Sequence, residues 1–112
     1  MKLELHARGL PLTEELRDHA ERRLGSALGR FRGRLRSAQV RLTDVNGPRG
    51  GDDIDCRVAI DVAGTGTLQV REVRGDPFAA VSRALDRIAH SLTRKISRST
   101  QRRRRSRPPR RA

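Results

Sequence analysis

Aromatic residues are almost absent from this chain of 112 residues, which has two phenylalanines, no tryptophan and no tyrosine. Proteins that read single-stranded nucleic acid stack its bases on exposed aromatic rings. Phe31 and Phe78 both fall at positions that pattern as core, so such a platform is excluded. The lone cysteine, Cys56, excludes an internal disulfide and a metal site of the CxxC kind, and a free thiol fits a reducing compartment. No run approaches the roughly 20 apolar residues that span a bilayer. The opening MKLELHARGL lacks the continuous apolar stretch of a secretion signal, so the expected compartment is the cytoplasm. Hydrophobic residues make up only 34%, enough for one domain with one modest core.

A further absence is one of sign. Residues 94–112 hold no Asp or Glu against ten Lys or Arg. This end carries +10 of the net +13, which leaves +3 for residues 1–93. Crowded arginines repel one another and offer no apolar surface to bury. Residues 1–98 are therefore expected to form the folded domain and residues 99–112 a disordered Arg-rich tail. Such a tail releases counterions from a dense polyanion, which makes nucleic acid the expected partner, read by its phosphates and shape.

Residues 2–7 alternate, with Leu3, Leu5 and Ala7 on one face, and predict a half-buried strand ended by Gly9 and Pro11. Thr13 stands where an N-cap belongs, with Glu14 and Glu15 at the positive end of the helix dipole. Leu16, Ala20, Leu24, Ala27, Leu28 and Phe31 then recur at helical spacing, which predicts a helix over about 14–31 that Gly29 weakens and Gly33 stops. Ala38, Val40 and Leu42 mark a second strand, and residues 46–53 are dense in turn chemistry. Ile54, Cys56, Val58, Ile60 and Val62 give the clearest alternation in the chain. Gly64-Thr65-Gly66 is a short hairpin loop, and Leu68 and Val70 mark a fourth strand that fades near Arg74. Asp76-Pro77 is a helix start. Phe78, Val81, Leu85, Ile88, Leu92 and Ile96 place one apolar stripe on a helix running to about 97. Fewer than three heptads beside four strands favour core packing over a coiled coil. The order β-α-β-β-β-α, with one apolar face on every element, predicts an α+β two-layer sandwich. Both helices should cover one face of a four-stranded mixed sheet, antiparallel in its hairpins and parallel across the first crossover.

Catalysis is poorly supplied. His6, His19 and His90 lie on three separate elements without ligand spacing and read as surface histidines. Cys56 shares the inward face of its strand and lacks the electropositive, accessible setting of a reactive thiol. The acid pairs Asp52-Asp53 and Glu14-Glu15 are accounted for by a turn and a helix start. No enzyme activity, cofactor, metal or small-molecule substrate is expected. The glycine-rich segment 46–51 has no GK[ST] ending and links strands, so it is not a P-loop. A mobile hairpin connection and a tip that carries Arg49 to an RNA backbone are equally open readings of it. The helices are more informative. Arg17, Arg22, Arg23 and Arg30 lie off the first apolar stripe, and Arg83, Arg87, His90, Arg94, Lys95 and Arg98 off the second. Arg83, Arg87, His90 and Arg94 are spaced four, three and four apart and form one ridge, a geometry that tracks a phosphate backbone. The ridge runs on toward Arg102, Arg103, Arg104 and Arg105, which are expected to touch nucleic acid as well.

Leu16-Arg17-Asp18 early in the first helix, Asp76-Pro77-Phe78-Ala79-Ala80-Val81 opening the second, and Leu85-Asp86-Arg87-Ile88 and Leu92-Thr93-Arg94-Lys95 along it resemble the ribosome hibernation factors, the family of hibernation-promoting factor and ribosome-associated inhibitor. Residues 44–51 are similar to one branch of its short members, and the resemblance covers about residues 1–98. It implies a fold like that of a double-stranded-RNA-binding domain with an added first strand. It also implies a non-enzymatic protein, expected to be monomeric off the ribosome, that binds 16S rRNA in the small-subunit channel between head and body. There it would overlap the mRNA, A-site and P-site positions and keep idle ribosomes silent and intact. Carried over by position, the implied rRNA contacts are Arg23, Arg87, His90, Arg94 and Lys95, with Arg17, Arg22, Arg83 and Arg98 beside them. Long members carry a second, C-terminal domain for which this chain is expected to have no room, and short members do not generally end in an arginine run. The alternative is a general double-stranded-RNA or nucleic-acid binder without ribosome specificity. A membrane-surface protein fits less well, because the apolar stripe is needed for the core and the tail lacks leucines and aromatics.

Overall fold

A computed structural model describes the backbone of residues 2–45 and 53–106, with side chains as far as Arg98. Its elements follow the order β1 (Lys2–Arg8), α1 (Glu14–Leu28), a 3-10 turn (Gly29–Phe31), β2 (Leu35–Asp44), β3 (Ile54–Val62), β4 (Gly66–Arg74) and α2 (Pro77–Ser106). The strands lie in sequence order β1-β2-β3-β4. β1 pairs with β2 in parallel, which requires a long crossover that α1 supplies, and the remaining pairs are antiparallel. Val62 pairs with Gly66 across the β3-β4 turn. Gly64 sits there at φ 78 and Gly66 at φ 92, a left-handed backbone that side chains rarely adopt.

The two-layer α+β sandwich read from the periodicities is the observed one. Val40, Val58 and Val70 stand side by side on adjacent strands, as do Ala38, Ile60 and Leu68, and these rows face the helices. Leu16, Ala20, Leu24 and Leu28 of α1, with Ala80, Val81, Ala84, Leu85, Ile88 and Leu92 of α2, close the core over them, each at most 2% exposed. Phe31 and Phe78 pack against its margin. Three side-chain pairs tie the helices together. His19 meets Ser82, Arg23 meets Asp86 and Arg30 meets Thr93, each pair 63 residues apart. A constant offset of the same sign means that α1 and α2 run side by side in the same direction.

Two helix ends differ from the reading of the sequence. The last turn of the first helix tightens into the 3-10 segment at Gly29, with Arg32 N donating to Gly29 O at 3.1 Å. More consequentially, α2 continues to Ser106 rather than ending near 97. Its apolar stripe marks where it is packed, not where it stops. No glycine or proline lies between Pro77 and Ser106, arginine is a good helix former, and cations favour the negative end of a helix dipole. Pro108 is the first breaker, and it disfavours the helical conformation at the residue before it. Thirty residues make a rod about 45 Å long. The expected tail thus begins on the backbone of α2. Its residues 107–112, like Arg49 and the rest of segment 46–52, lie outside the described residues.

Candidate nucleic-acid interface

Both helices begin on side-chain caps that satisfy backbone donors otherwise left without partners. Leu16 N donates to Thr13 Oγ1 at 3.2 Å, and Phe78 N and Ala79 N donate to the Asp76 carboxylate at 3.3 Å each. With one side of each helix spent on the core, the expected contact residues as far as Arg98 come to the opposite, outward side and divide into two groups, while the side chains of Arg102, Arg103, Arg104 and Arg105 lie outside the described residues.

Arg17 on α1 and Arg83, His90, Arg94, Lys95 and Arg98 on α2 are exposed, and none has an ion-pair or hydrogen-bond partner among the described residues. Arg22 is nearly as open, with Nε reaching only the carbonyl of Asp18 at 3.4 Å. Arg23 and Arg87 are engaged internally. Arg23 Nη2 bonds both oxygens of Asp86 at 2.9 Å and locks α1 to α2. Arg87 Nη1 donates to Glu72 Oε2 at 2.6 Å and to the carbonyl of Arg71 at 2.8 Å, which locks α2 to β4. Glu72 lies on the helix-facing side of the sheet, opposite Cys56, with its side chain only 11% exposed. The hydrogen bond from Arg87, aided by Arg74, holds its carboxyl below the ordinary carboxylate range. Arg30 is engaged as well, donating to Thr93 Oγ1 at 2.6 Å and lying 4.8 Å from the ring centre of Phe31.

His6 and His90 are at the surface, as the sequence indicated, but His19 is not a bystander. Its Nε2 lies 3.0 Å from the carbonyl of Phe78 and 2.7 Å from Ser82 Oγ. The ring also packs edge-on against Phe78 at 5.1 Å. The side chain that meets it comes from α2, far away in sequence, so helical periodicity gave no sign of it. Cys56 is buried, and burial, with the charges of Asp55 and Glu72 beside it, pushes its thiol up to about 12. That is the opposite of nucleophile activation. Among the described residues no group of three or more acidic, histidine or cysteine side chains is placed to hold a metal, and no helix is long and apolar enough to cross a membrane.

The chain has informative likenesses. Residues 3–101 match the family model described as Sigma 54 modulation protein / S30EA ribosomal protein. The N-terminal domain of Protein Y from Thermus thermophilus superposes with a TM-score of 0.70 at 28% identity, over 84% of this chain and 98% of that one. A ribosomal subunit interface protein from Coxiella burnetii shares the fold, with a TM-score of 0.72 over 87% of this chain and 99% of that one, at 13% identity. No curated protein sequence matches the chain.

Proposed function

The chain belongs to the Sigma 54 modulation protein / S30EA ribosomal protein family, and we propose that it is a ribosome hibernation factor. In this reading residues 1–98 dock in the decoding channel of the small subunit against 16S rRNA and block mRNA and tRNA, while the Arg-rich residues 99–112 add phosphate contacts. The protein works in the cytoplasm as a binder rather than an enzyme, and is monomeric off the ribosome. The observation that carries the reading is the outward side of α2. Arg83, His90, Arg94, Lys95 and Arg98 stand on one continuous helix, exposed and without partners among the described residues. Unpaired cations on a rigid rod suit a phosphate backbone, which fixes register and orientation without reading sequence. Arg23 and Arg87 then act as positioning residues. Their pairs with Asp86 and Glu72 fix the rod against α1 and the sheet.

Co-sedimentation with vacant ribosomes, with mRNA plus initiator tRNA as competitor, tests this for the full chain and for residues 1–98. Saturable one-to-one binding that the competitor displaces, and that the shorter form keeps in part, is the expected outcome. Binding that never saturates, ignores the competitor and disappears with residues 99–112 would leave a general nucleic-acid binder instead.

A further inference from the structure

The helices cover one face of the sheet, and the register of the strands organises the other. His6 pairs with Arg41, Arg41 with Arg57 and Arg57 with Arg71, so a histidine and three arginines stand in one row across all four strands. Adjacent strands lie about 4.8 Å apart, which makes the three arginines a row roughly 10 Å long. Like charges directly opposite one another destabilise a sheet, so an unliganded fold gains nothing from this alignment. The next row is Glu4, Gln39, Ala59 and Gln69. Between the two amides the short Ala59 leaves a groove of about 630 Å³, walled by Arg41, Arg57 and Arg71. Guanidinium groups are donors only, and Gln69 adds an NH₂ donor, while Gln39 Nε2 donates to Glu4 Oε2 at 3.2 Å.

On the far side of the arginine row lies Asp55, 5% exposed. Its Oδ2 accepts from Arg71 Nε at 2.9 Å, and its Oδ1 lies 3.6 Å from Arg57 Nε. One carboxylate thus hydrogen-bonds Arg71 and lies within ion-pair range of Arg57, while Arg41 has no partner among the described residues. The row keeps a positive surplus, and Arg71 is already held by its hydrogen bond, which lowers the cost of binding. Among the described residues no phenylalanine, tyrosine or tryptophan lies on this face to stack a base, and the groove is open and shallow. Its chemistry is that of phosphate oxygens met by arginine forks.

We propose that this open sheet face is a second phosphate-binding surface, which takes a segment of RNA backbone on the side of the domain opposite the helices. This rests on the reading that the domain binds ribosomal RNA, and it makes the domain a two-sided wedge between RNA segments. The test compares the full chain with Arg41→Gln/Gln69→Glu on the sheet and Arg83→Gln/Arg94→Gln on the helix. All four replaced side chains are exposed and without partners among the described residues, so both variants should melt like the native protein. Binding is titrated with salt against vacant small subunits and against protein-free 16S rRNA. The sheet variant should bind both several-fold more weakly, with a log–log salt slope shallower by about one for each phosphate it no longer neutralises. If it binds like the native chain while the helix variant is weakened, the sheet proposal falls and the helix reading stands. Weakened binding to subunits but not to bare rRNA would mean an acidic protein partner, and also overturns it. Failure of the native chain to bind either one sinks the proposed function itself, and this surface with it.

Discussion

Arg83 and Arg87 stand one helical turn apart on the same exposed ridge, yet their surroundings give them opposite tasks. Arg87 closes Glu72 into the seam between β4 and α2, whereas Arg83 has no hydrogen-bond or ion-pair partner among the described residues. Replacing Arg87 by Ala leaves a mostly buried carboxylate with only Arg74. It should cost about 1–2 kcal/mol, between the values for exposed pairs and for hydrogen bonds to charged groups. Arg83→Ala should stay within about 0.5 kcal/mol; the midpoints of urea denaturation read both. Glu72 also sets a pH dependence. Its folded carboxyl titrates below the ordinary value of 4.5, chiefly because of the Arg87 hydrogen bond. The stability it contributes is therefore fully present above that value and is lost as pH falls through the lower, folded one. Glu72→Gln should flatten the acid limb of the stability curve below about pH 5. An equally steep acid limb in that variant would show that other carboxylates carry it.

Among the elements, α2 does two jobs along its length. Its buried stripe runs to Leu92, with Ile96 half-buried behind it, and the sequence from Arg98 to Ser106 carries charge and no apolar residue. Deleting residues 99–112 should leave the melting transition nearly unchanged while flattening the salt dependence of ribosome binding. With roughly eight phosphates neutralised by the full chain, the log–log slope should lie near −6 to −7, and an unchanged slope after the deletion would remove the tail from the interface. The same helix shows what the sequence can reveal. Strand alternation, the Thr13 and Asp76 caps and the two apolar stripes are local signals, and the β-α-β-β-β-α sandwich followed from them. The end of α2 did not, because loss of apolar periodicity only marks the edge of packing, and the breaker, Pro108, lies further on. Nor did the division of the basic residues, since Asp86 lies 63 residues from Arg23 and Glu72 lies 15 from Arg87. The row of Arg41, Arg57 and Arg71 is visible only once strand register is known, because each arginine alone is an ordinary outward-facing residue on its strand.

Taken as one body, the domain is a single layer of strands under two helices, with a core confined to their shared interface and cations on both outer surfaces. Antiparallel helices would have opposed their dipoles. Here α1 and α2 run the same way, so theirs add. Thr13, Glu14, Glu15 and Asp76 gather where both helices begin. Arg30, Arg32 and Arg34 follow the end of α1, and Arg94, Lys95 and Arg98 lie on α2 toward its own end. The protein therefore has an electrical polarity from end to end. The field of a polyanion exerts a torque on such a body before any contact forms, turning its positive pole forward and raising the rate of productive encounters. Stopped-flow association with small subunits should slow steeply between about 50 and 200 mM salt, with dissociation changing far less. Rates that respond equally would mean that the molecule arrives at random and finds its pose afterwards. Otherwise the parallel pairing of two helices, made for packing, also acts as a compass needle: the protein reaches its target already aimed.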